Sequence, residues 1–466
     1  RPARLPDLTK GEPIREREAR HEWHLGPTGI MGYMPGGLGG DQIEVISVLK
    51  GSPAEGKLQW GDVILGVGGE KFVAGGNMGL IFGNAIIEAE KEENSGRLKL
   101  QVWRDSNFLK RNSSEDVASV DVDTLIDEAE SDVTLYDWKS EKDKKQEVRN
   151  EKLDEFPIEG QVLEIELELA VMPPYSDTSP YDCPKAERIR ENAWKLLAKQ
   201  FTPNERGRGG GGGSLQAVAL AASGKPEYLK LLREWVRSPR GRIWHPPTEP
   251  DDPLNLPGRS WYMSFYGLEC ALYYDATGDE FVLPALERFA VRTAKGQAGG
   301  GSWGHGWAQP RFNGGKYHGM NPGYGALNAS GNRCFFLIAL AKKLGVEHPQ
   351  IDDAIERARR FFGSYIDKGA IPYGHHAAWP SDDSNGKNSG VAFALKLLGD
   401  HHGAKYFAQM STHASFSRRS GHGHDWFWHW SPWAATICGP RGTIASHRNL
   451  RWWFTLCRRF DGEFVI

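Results

Sequence analysis

Two adjacent segments carry the clearest architectural signal: GYGALNASGNRCFFLIALAKKLG (323–345) and PQIDDAIERARRFFGSYIDKG (349–369). The first is rich in small residues and apolar on nearly every side, which is typical of a helix that is packed on two sides. The second carries its charged residues along one face, which is typical of a helix at the protein surface. Together they predict an inner helix followed by an outer helix.

The same alternation recurs over residues 175–466, where loops rich in Gly, Trp and His precede the apolar helices. Inner and outer helices in alternation indicate an α/α toroid, and we predict an all-α domain of five to six helix pairs. The segments predicted to be helical are 184–201, 214–223, 226–238, 261–278, 279–296, 323–345, 349–369, 386–400, 403–415, 425–439 and 445–460.

Residues 24–174 have a different character. Short β-type runs bounded by Gly and Pro, such as IEVISV (43–48) and LKLQVW (98–103), predict strands, with one amphipathic helix at 77–90. The run VLEIELELAV (162–171) alternates apolar and acidic residues, which predicts a half-buried strand. We therefore predict a multidomain α+β protein with a β-rich domain before the helical one.

Two polar segments accompany the β-rich domain. Residues 1–23 are rich in Arg and Glu, which predicts a polar arm. Residues 108–160 are strongly acidic. Because such a stretch cannot bury enough apolar surface to hold a fixed structure, it predicts a mobile insertion within a hairpin.

Two motifs of the β-rich domain, LGPTGIMGYM (25–34) and GSPAEGKLQWGDVILGVGGEKF (51–72), point to a family. They resemble the Gly-rich loop and the following signature of bacterial PDZ modules. In that family the loop amides bind the C-terminal carboxylate of a peptide, and the peptide pairs with the adjacent strand. The resemblance implies a peptide-binding site formed by Gly29, Ile30, Met31 and Gly32.

Composition argues against several classes of function. The 466 residues are 39% hydrophobic and 25% charged, and no apolar run approaches the ~20 residues of a membrane span. The formal net charge of −3 argues against a nucleic-acid partner, because a protein that binds nucleic acid normally presents a basic face. The chain contains no P-loop, no dinucleotide-binding glycine motif after a strand and no G-x-S-x-G nucleophile elbow. We expect no cofactor, with a divalent metal as the alternative.

Three loops before predicted inner helices, at 299–325, 371–388 and 420–433, concentrate the residue types that ligand binding and catalysis use. The predicted substrate-binding residues are Trp303, Trp307, Arg311, Asn321, Trp379 and Trp426. The predicted catalytic residues are His305, His318, Tyr324, Asp382, Asp383, His424 and Asp425. The tryptophan rings would stack on sugar rings.

A lyase would use these residues for proton abstraction. Either His305 or His318 would be the base, and Tyr324 would be the acid. Asn321 and Arg311 would then stabilise the negative charge that develops on the substrate.

A hydrolase would need a different arrangement, with two carboxylates about 5–10 Å apart drawn from Asp382, Asp383 and Asp425. The same aspartates could instead cap helices. A metal-dependent hydrolase would use a site formed by His375, His422, His424 and Asp425, of which the H-x-H pair is the core.

The chain from about residue 24 to residue 466 resembles a family of large secreted bacterial proteins. In these, a PDZ-like module precedes a toroid similar to that of prenyltransferases and terpene cyclases. The resemblance is carried by YSDTSPYDCPK (175–185), SWGHGWA (302–308), GGKYHGMNPGYGALN (314–328), KGAIPYGHH (368–376), DDSNGKNSG (382–390) and GHGHDWFWHWSPWA (421–434). It implies this fold and a secreted location, and it implies no particular activity.

Our leading hypothesis is an extracytoplasmic enzyme, a lyase or a hydrolase, that acts on a polysaccharide or similar polymer at the mouth of the toroid. A first residue other than Met, Arg1, fits the removal of a secretion signal, and it fits a trimmed chain equally well. The alternatives are a non-catalytic scaffold, whose PDZ-like module binds a peptide or protein, and the metal-dependent hydrolase.

Overall fold

The computed structural model describes residues 5–12, 21–112, 156–201, 213–246, 260–323, 325–378, 387–414 and 431–464. The chain divides into two compact units. The sheet unit comprises Arg1–Tyr175 together with Leu450–Ile466, and the helical unit comprises Ser176–Asn449. The prediction of a sheet-rich N-terminal region followed by a helical region is therefore confirmed.

The sheet unit contains one seven-stranded antiparallel sheet, in which the strand order is β1-β2-β3-β4-β6-β7 and β5 pairs with β4. The strands are β1 (Glu22–His24), β2 (Ile30–Tyr33), β3 (Ile43–Val48), β4 (Val63–Val67), β5 (Glu70–Lys71), β6 (Arg97–Asp105) and β7 (Gly160–Glu168). The helices described before residue 175 are α1 (Met78–Ala89) and the short α2 (Phe108–Arg111). Asn77 caps α1, because its Oδ1 accepts a hydrogen bond from the Leu80 amide at 3.0 Å.

Strand β7 shows how the sequence pattern produces a two-sided sheet. Leu167 is buried, whereas Glu164, Glu166 and Glu168 are exposed, as the alternation predicted. Lys99 of the neighbouring β6 reaches Glu164 across the exposed face, with 2.8 Å between Nζ and Oε1. The acidic residues therefore face solvent while the leucines face the core.

The core of the sheet unit also includes the end of the chain. Trp452 and Leu456 are buried in the same apolar cluster as Phe82 of α1. A Cβ at Gly83 would lie 2.6 Å from the Trp452 carbonyl oxygen, so this close approach requires glycine. The sequence-based division into 24–174 and 175–466 did not anticipate that the last residues pack with the β-rich region.

The described helices after residue 175 are α3 (Pro184–Gln200), α4 (Gly213–Ala221), α5 (Pro226–Arg237), α6 (Ser260–Thr277), α7 (Leu283–Lys295), α8 (Asn328–Lys343), α9 (Pro349–Gly363), α10 (Asn388–Leu397), α11 (His401–Ala414), α12 (Ser431–Ala434) and α13 (Gly439–Cys457). Of these, the C-terminal part of α13, from Leu450 onward, belongs to the sheet unit. None of the described helices combines the length and the apolarity that a membrane crossing would require.

Helices α8 and α9 of the helical unit differ in burial. Helix α8 is buried along almost its whole length, and it contacts α6 and α10 as well as the amphipathic helices α7 and α9. Helix α9 buries Ile351, Ile355 and Phe362 and exposes Glu356. Because α8 has apolar neighbours on several sides and α9 does not, their different burial follows from their different sequence patterns.

Candidate functional site

The helical unit contains a pocket of about 300 Å³. The lining comes from the loop between α7 and α8, from helix α9 and from the loop after α9. It consists of Ala298, Gly299, Gly300, Ser302, Phe312, Asn313, His318, Gly319, Met320, Asn321, Gly325, Ala326, Phe361 and His375. The pocket therefore brings together two of the three loops that the sequence selected.

Backbone packing shapes the loop that forms most of the pocket. Gln309 and Met320 form an isolated antiparallel bridge, which draws the two arms of the loop together. A Cβ at Gly319 would lie 2.0 Å from the Gln309 carbonyl oxygen, so only glycine fits beside this bridge. His318 precedes it with φ of 62°, a left-handed conformation that non-glycine residues seldom adopt.

Asn328, the first residue of α8, ties the two pocket loops together. Its Oδ1 accepts a hydrogen bond from Ser302 Oγ at 2.9 Å. Its Nδ2 donates to the carbonyl oxygens of Pro372 and Gly374, at 3.0 and 2.9 Å. Because Asn328 is fully buried, these bonds hold Ser302 and the backbone next to His375 in fixed positions.

Asp353 of α9 contacts the imidazole of His318, and Arg357 of the same helix pairs with Asp353. The His318 Nε2 lies 2.8 Å from Asp353 Oδ2, and the same oxygen lies 2.9 Å from Arg357 Nε. The His318 side chain is only 9% exposed. Burial lowers the pKa of His318 and the charge of Arg357 lowers it further, while Asp353 acts in the opposite direction. His318 is thus a buried, mainly neutral imidazole at neutral pH.

The lowered pKa of His318 predicts a pH-dependent stability. Below its ordinary pKa of 6.5, the unfolded chain binds a proton at His318 more readily than the folded chain does. We therefore expect the free energy of unfolding to fall as the pH drops from 6.5 towards the lower folded-state pKa, and His318→Gln to reduce this slope. Urea unfolding at several pH values between about pH 7 and pH 5 measures this change in the free energy of unfolding. The exposed His401→Gln serves as the control, and equal slopes in the two variants would contradict the prediction.

The sequence did not point to Asp353 and Arg357. Their spacing of four residues indicates an ion pair on a helix surface, and nothing in the pattern links them to a histidine in an earlier loop. The link exists only because α9 packs beside the loop that carries His318.

Several predicted residues do meet at the pocket. His318, Asn321 and His375 line it, and Arg311 lies beside it with its guanidinium 4.7 Å from the centre of the Phe312 ring. His375 is exposed, and its ring lies 5.5 Å from that of Phe361. The pocket thus contains two imidazoles, of which only His375 is open to solvent.

Three other predicted residues are placed differently. Trp303 is fully buried, with Nε1 donating to the Thr293 carbonyl oxygen at 2.8 Å, so its ring is part of the core and offers no stacking surface. Trp307 is half-buried against Gly296, beneath the guanidinium of Arg292. His305 is not among the pocket-lining residues, and its Nδ1 accepts a hydrogen bond from Trp261 Nε1 at 2.9 Å.

The residues that the PDZ resemblance selected lie in or beside β2. Both edges of β2 are paired within the chain: Met31 lies opposite His24 of β1 and opposite Ser47 of β3. The Gly29 carbonyl oxygen accepts a bond from the Leu49 amide, and Gly32 pairs with both neighbouring strands. A peptide could add to Gly29, Ile30, Met31 and Gly32 only if it displaced β1.

The remaining predicted site residues lie outside the described residues. These are Tyr324, Trp379, Asp382, Asp383, His422, His424, Asp425 and Trp426. Most of the acidic insertion predicted at 108–160 also lies outside the described residues. Among the residues that the structure describes, no group of three or more His, Cys, Asp or Glu side chains could hold a metal ion. The metal hypothesis stays a prediction, since only His375 of its four residues is described.

Comparison with known proteins identifies a family. Neither a curated protein nor a solved structure matches the chain. A family model described as "Domain of unknown function (DUF6288)" matches residues 186–466, which include every pocket-lining residue. Because the match spans more than half of the sequence, the chain belongs to the DUF6288 family.

Proposed function

We propose that this protein is an extracytoplasmic enzyme that acts on a polysaccharide or a similar polymer, and that the pocket of the helical unit holds the reacting sugar unit. One observation carries the proposal: two loops that are distant in sequence bring His318, Asn321 and His375 to one pocket. Its volume of about 300 Å³ lies at the lower end of the range for small-molecule sites, which suits a single sugar ring.

Each of the three residues has a distinct role in this proposal. His375 is exposed to the pocket, so its imidazole is the group that would take a proton from the substrate. His318 would position the pocket wall, because its Nε2 faces Asp353. The buried Oδ1 of Asn321 has no hydrogen-bond partner among the described residues, so it would accept a bond from a sugar hydroxyl.

The rim of the pocket suits a sugar as well. The Phe312 side chain is 54% exposed and the Met320 side chain is 63% exposed. An exposed ring beside a polar pocket can pack against the apolar face of a sugar ring. These two residues therefore replace the buried Trp303 as the proposed apolar contact.

Two of the described lining residues are histidines, a residue type that serves as a general base, and this supports proton abstraction. The hydrolase and the metal-dependent alternatives depend on residues outside the described ranges. The peptide-binding scaffold receives less support, because β1 occupies the strand edge that a peptide would use.

The proposal predicts that His375→Ala lowers polymer cleavage by about 100-fold or more, because a general base contributes roughly that factor. Asn321→Ala should lower it by about tenfold or more, since it removes a bond to the substrate. The assay follows ultraviolet absorbance of unsaturated products and release of reducing ends on a panel of polysaccharides. Absorbance would identify a lyase, and reducing ends alone would identify a hydrolase.

His401→Ala is the matched control, because His401 is an exposed histidine of the same unit that does not line the pocket. Equal activity in the His375 and His401 variants would remove His375 from the chemistry. Failure of the wild-type protein to cleave or bind any polysaccharide would overturn the proposed function.

We also propose that the sheet unit is PDZ-like and that the helical unit is an α/α toroid. For the toroid, support comes from helix neighbours: α4, α6, α8 and α10 each contact the next in that series. The PDZ-like proposal is supported by the 3-10 turn Gly26–Thr28, which lies just before β2 in the chain.

A further inference from the structure

The pocket lies in the part of the chain that is poorest in acidic residues. No Asp or Glu occurs between Arg288 and Val346, whereas the same stretch contains eight Lys and Arg residues. This is unusual for a chain with 60 acidic and 57 basic residues. Most of the pocket lining falls within this stretch, so its surroundings carry a local excess of positive charge.

The described residues that line the pocket also lack acidic side chains. Among the described residues that line the pocket, the polar side chains are Ser302, Asn313, His318, Asn321 and His375, and none is a carboxylate. The carboxylate of Asp353, which holds His318, is paired with Arg357. Its charge is therefore balanced and does not give the pocket a net negative charge.

Cations lie next to lining residues or in the same loop. The Arg311 guanidinium stands over the exposed ring of Phe312, which lines the pocket. The Lys295 ammonium lies 5.3 Å from the centre of the Tyr317 ring, and Lys316, which precedes Tyr317 in the chain, is exposed. Packing against aromatic faces holds such cations in place while leaving their charge available to a ligand.

We infer that the pocket binds an anionic sugar unit, bearing a carboxylate or a sulfate, within an acidic polysaccharide. The inference rests on the proposed function for the polymer, and the charge distribution adds the substrate class. An acidic group would interact favourably with Arg311 and Lys316, which belong to the loop that forms most of the pocket, and with donors inside the pocket. A nucleic acid fits less well, because its backbone needs a line of cations and this chain has a net charge of −3.

Binding of the full chain to four polymers by titration calorimetry tests this inference. The probes are polygalacturonate for carboxylate, dextran sulfate for sulfate, unmodified dextran as the neutral polymer, and single-stranded DNA. We expect at least one acidic polysaccharide to bind about tenfold more tightly than dextran. This preference should weaken between about 50 mM and about 200 mM NaCl.

Single substitutions test which cations produce the preference for acidic polymers. Arg311→Ala and Lys316→Ala should each weaken acidic-polymer binding by about fivefold to tenfold, and Arg311→Lys should retain most of it. Lys230→Ala removes the same charge from the exposed face of α5 and should have no effect. Circular dichroism of each variant shows whether its fold is intact.

The outcomes separate the two claims. Equal binding of dextran and the acidic polymers would overturn the inference of an anionic sugar and leave the proposed polysaccharide function standing. Equal effects of Arg311→Ala and Lys230→Ala on acidic-polymer binding would have the same two consequences. Absence of binding to every polysaccharide would overturn both claims. Binding of DNA alone, with the same dependence on Arg311, would replace the sugar polymer by a nucleic acid.

Discussion

Arg458→Ala is expected to lower the free energy of unfolding of the sheet unit by about 3–5 kcal/mol. Arg458 forms an ion pair with Glu90, whose side chain has no exposed surface, and the Arg458 side chain is 9% exposed. Removing the cation breaks an ion pair whose carboxylate is fully buried, which costs far more than the loss of a surface ion pair. Urea unfolding measures the change, and hydrogen exchange of β2 and β3 assigns it to the sheet unit.

Arg459→Ala is the matched control, because Arg459 pairs with the partly exposed Asp461 and Glu463 and should contribute within about 1 kcal/mol. A double variant tests whether the cost comes from the buried charge. Replacing both partners by apolar residues, Glu90→Leu with Arg458→Met, should recover much of the lost stability, since neither charge then remains buried. Equal unfolding of the Arg458 and Arg459 variants would show that the buried Arg458–Glu90 pair contributes no more than the exposed pairs of Arg459.

Asn328→Ala is expected to lower the free energy of unfolding of the helical unit by about 3 kcal/mol or more and to loosen the pocket. The change strips hydrogen-bond partners from Ser302 Oγ and from the carbonyl oxygens of Pro372 and Gly374. Each buried polar group that loses its partner costs about 1–3 kcal/mol. Hydrogen exchange should rise in the segments 298–304 and 371–376, and urea unfolding gives the energy.

Asn313→Ala is the control for this prediction, since the Asn313 side chain donates one hydrogen bond to the Tyr317 carbonyl oxygen at an exposed position. Its loss should cost no more than about 1.5 kcal/mol. Asn328→Asp provides a second test, because a carboxylate keeps the acceptor for Ser302 and loses both donors. If Asn328→Asp were as stable as wild type, the two loop carbonyls would not depend on this residue.

Part of the candidate site was predictable from residue types. Small residues, histidines and an asparagine before an apolar helix indicated a pocket, and His318 and Asn321 do line it. Other assignments could not be made in this way. Trp303 and Trp307 share one loop and one residue type, yet Trp303 is fully buried and Trp307 only partly. A tryptophan suits both a core and a binding surface, so residue type alone could not separate them.

The sequence by itself determined the sheet-rich first region, the helical second region, and the burial of α8 on several sides. These features follow from periodicity over a few neighbouring residues, which backbone geometry converts directly into strands and helices. Only the tertiary structure brought Asp353 to His318 and His375 to Asn321, and only it returned Trp452 to the core of the sheet unit. Such contacts join residues that are far apart along the chain, and they form because elements pack to bury apolar surface, a choice that no local pattern records.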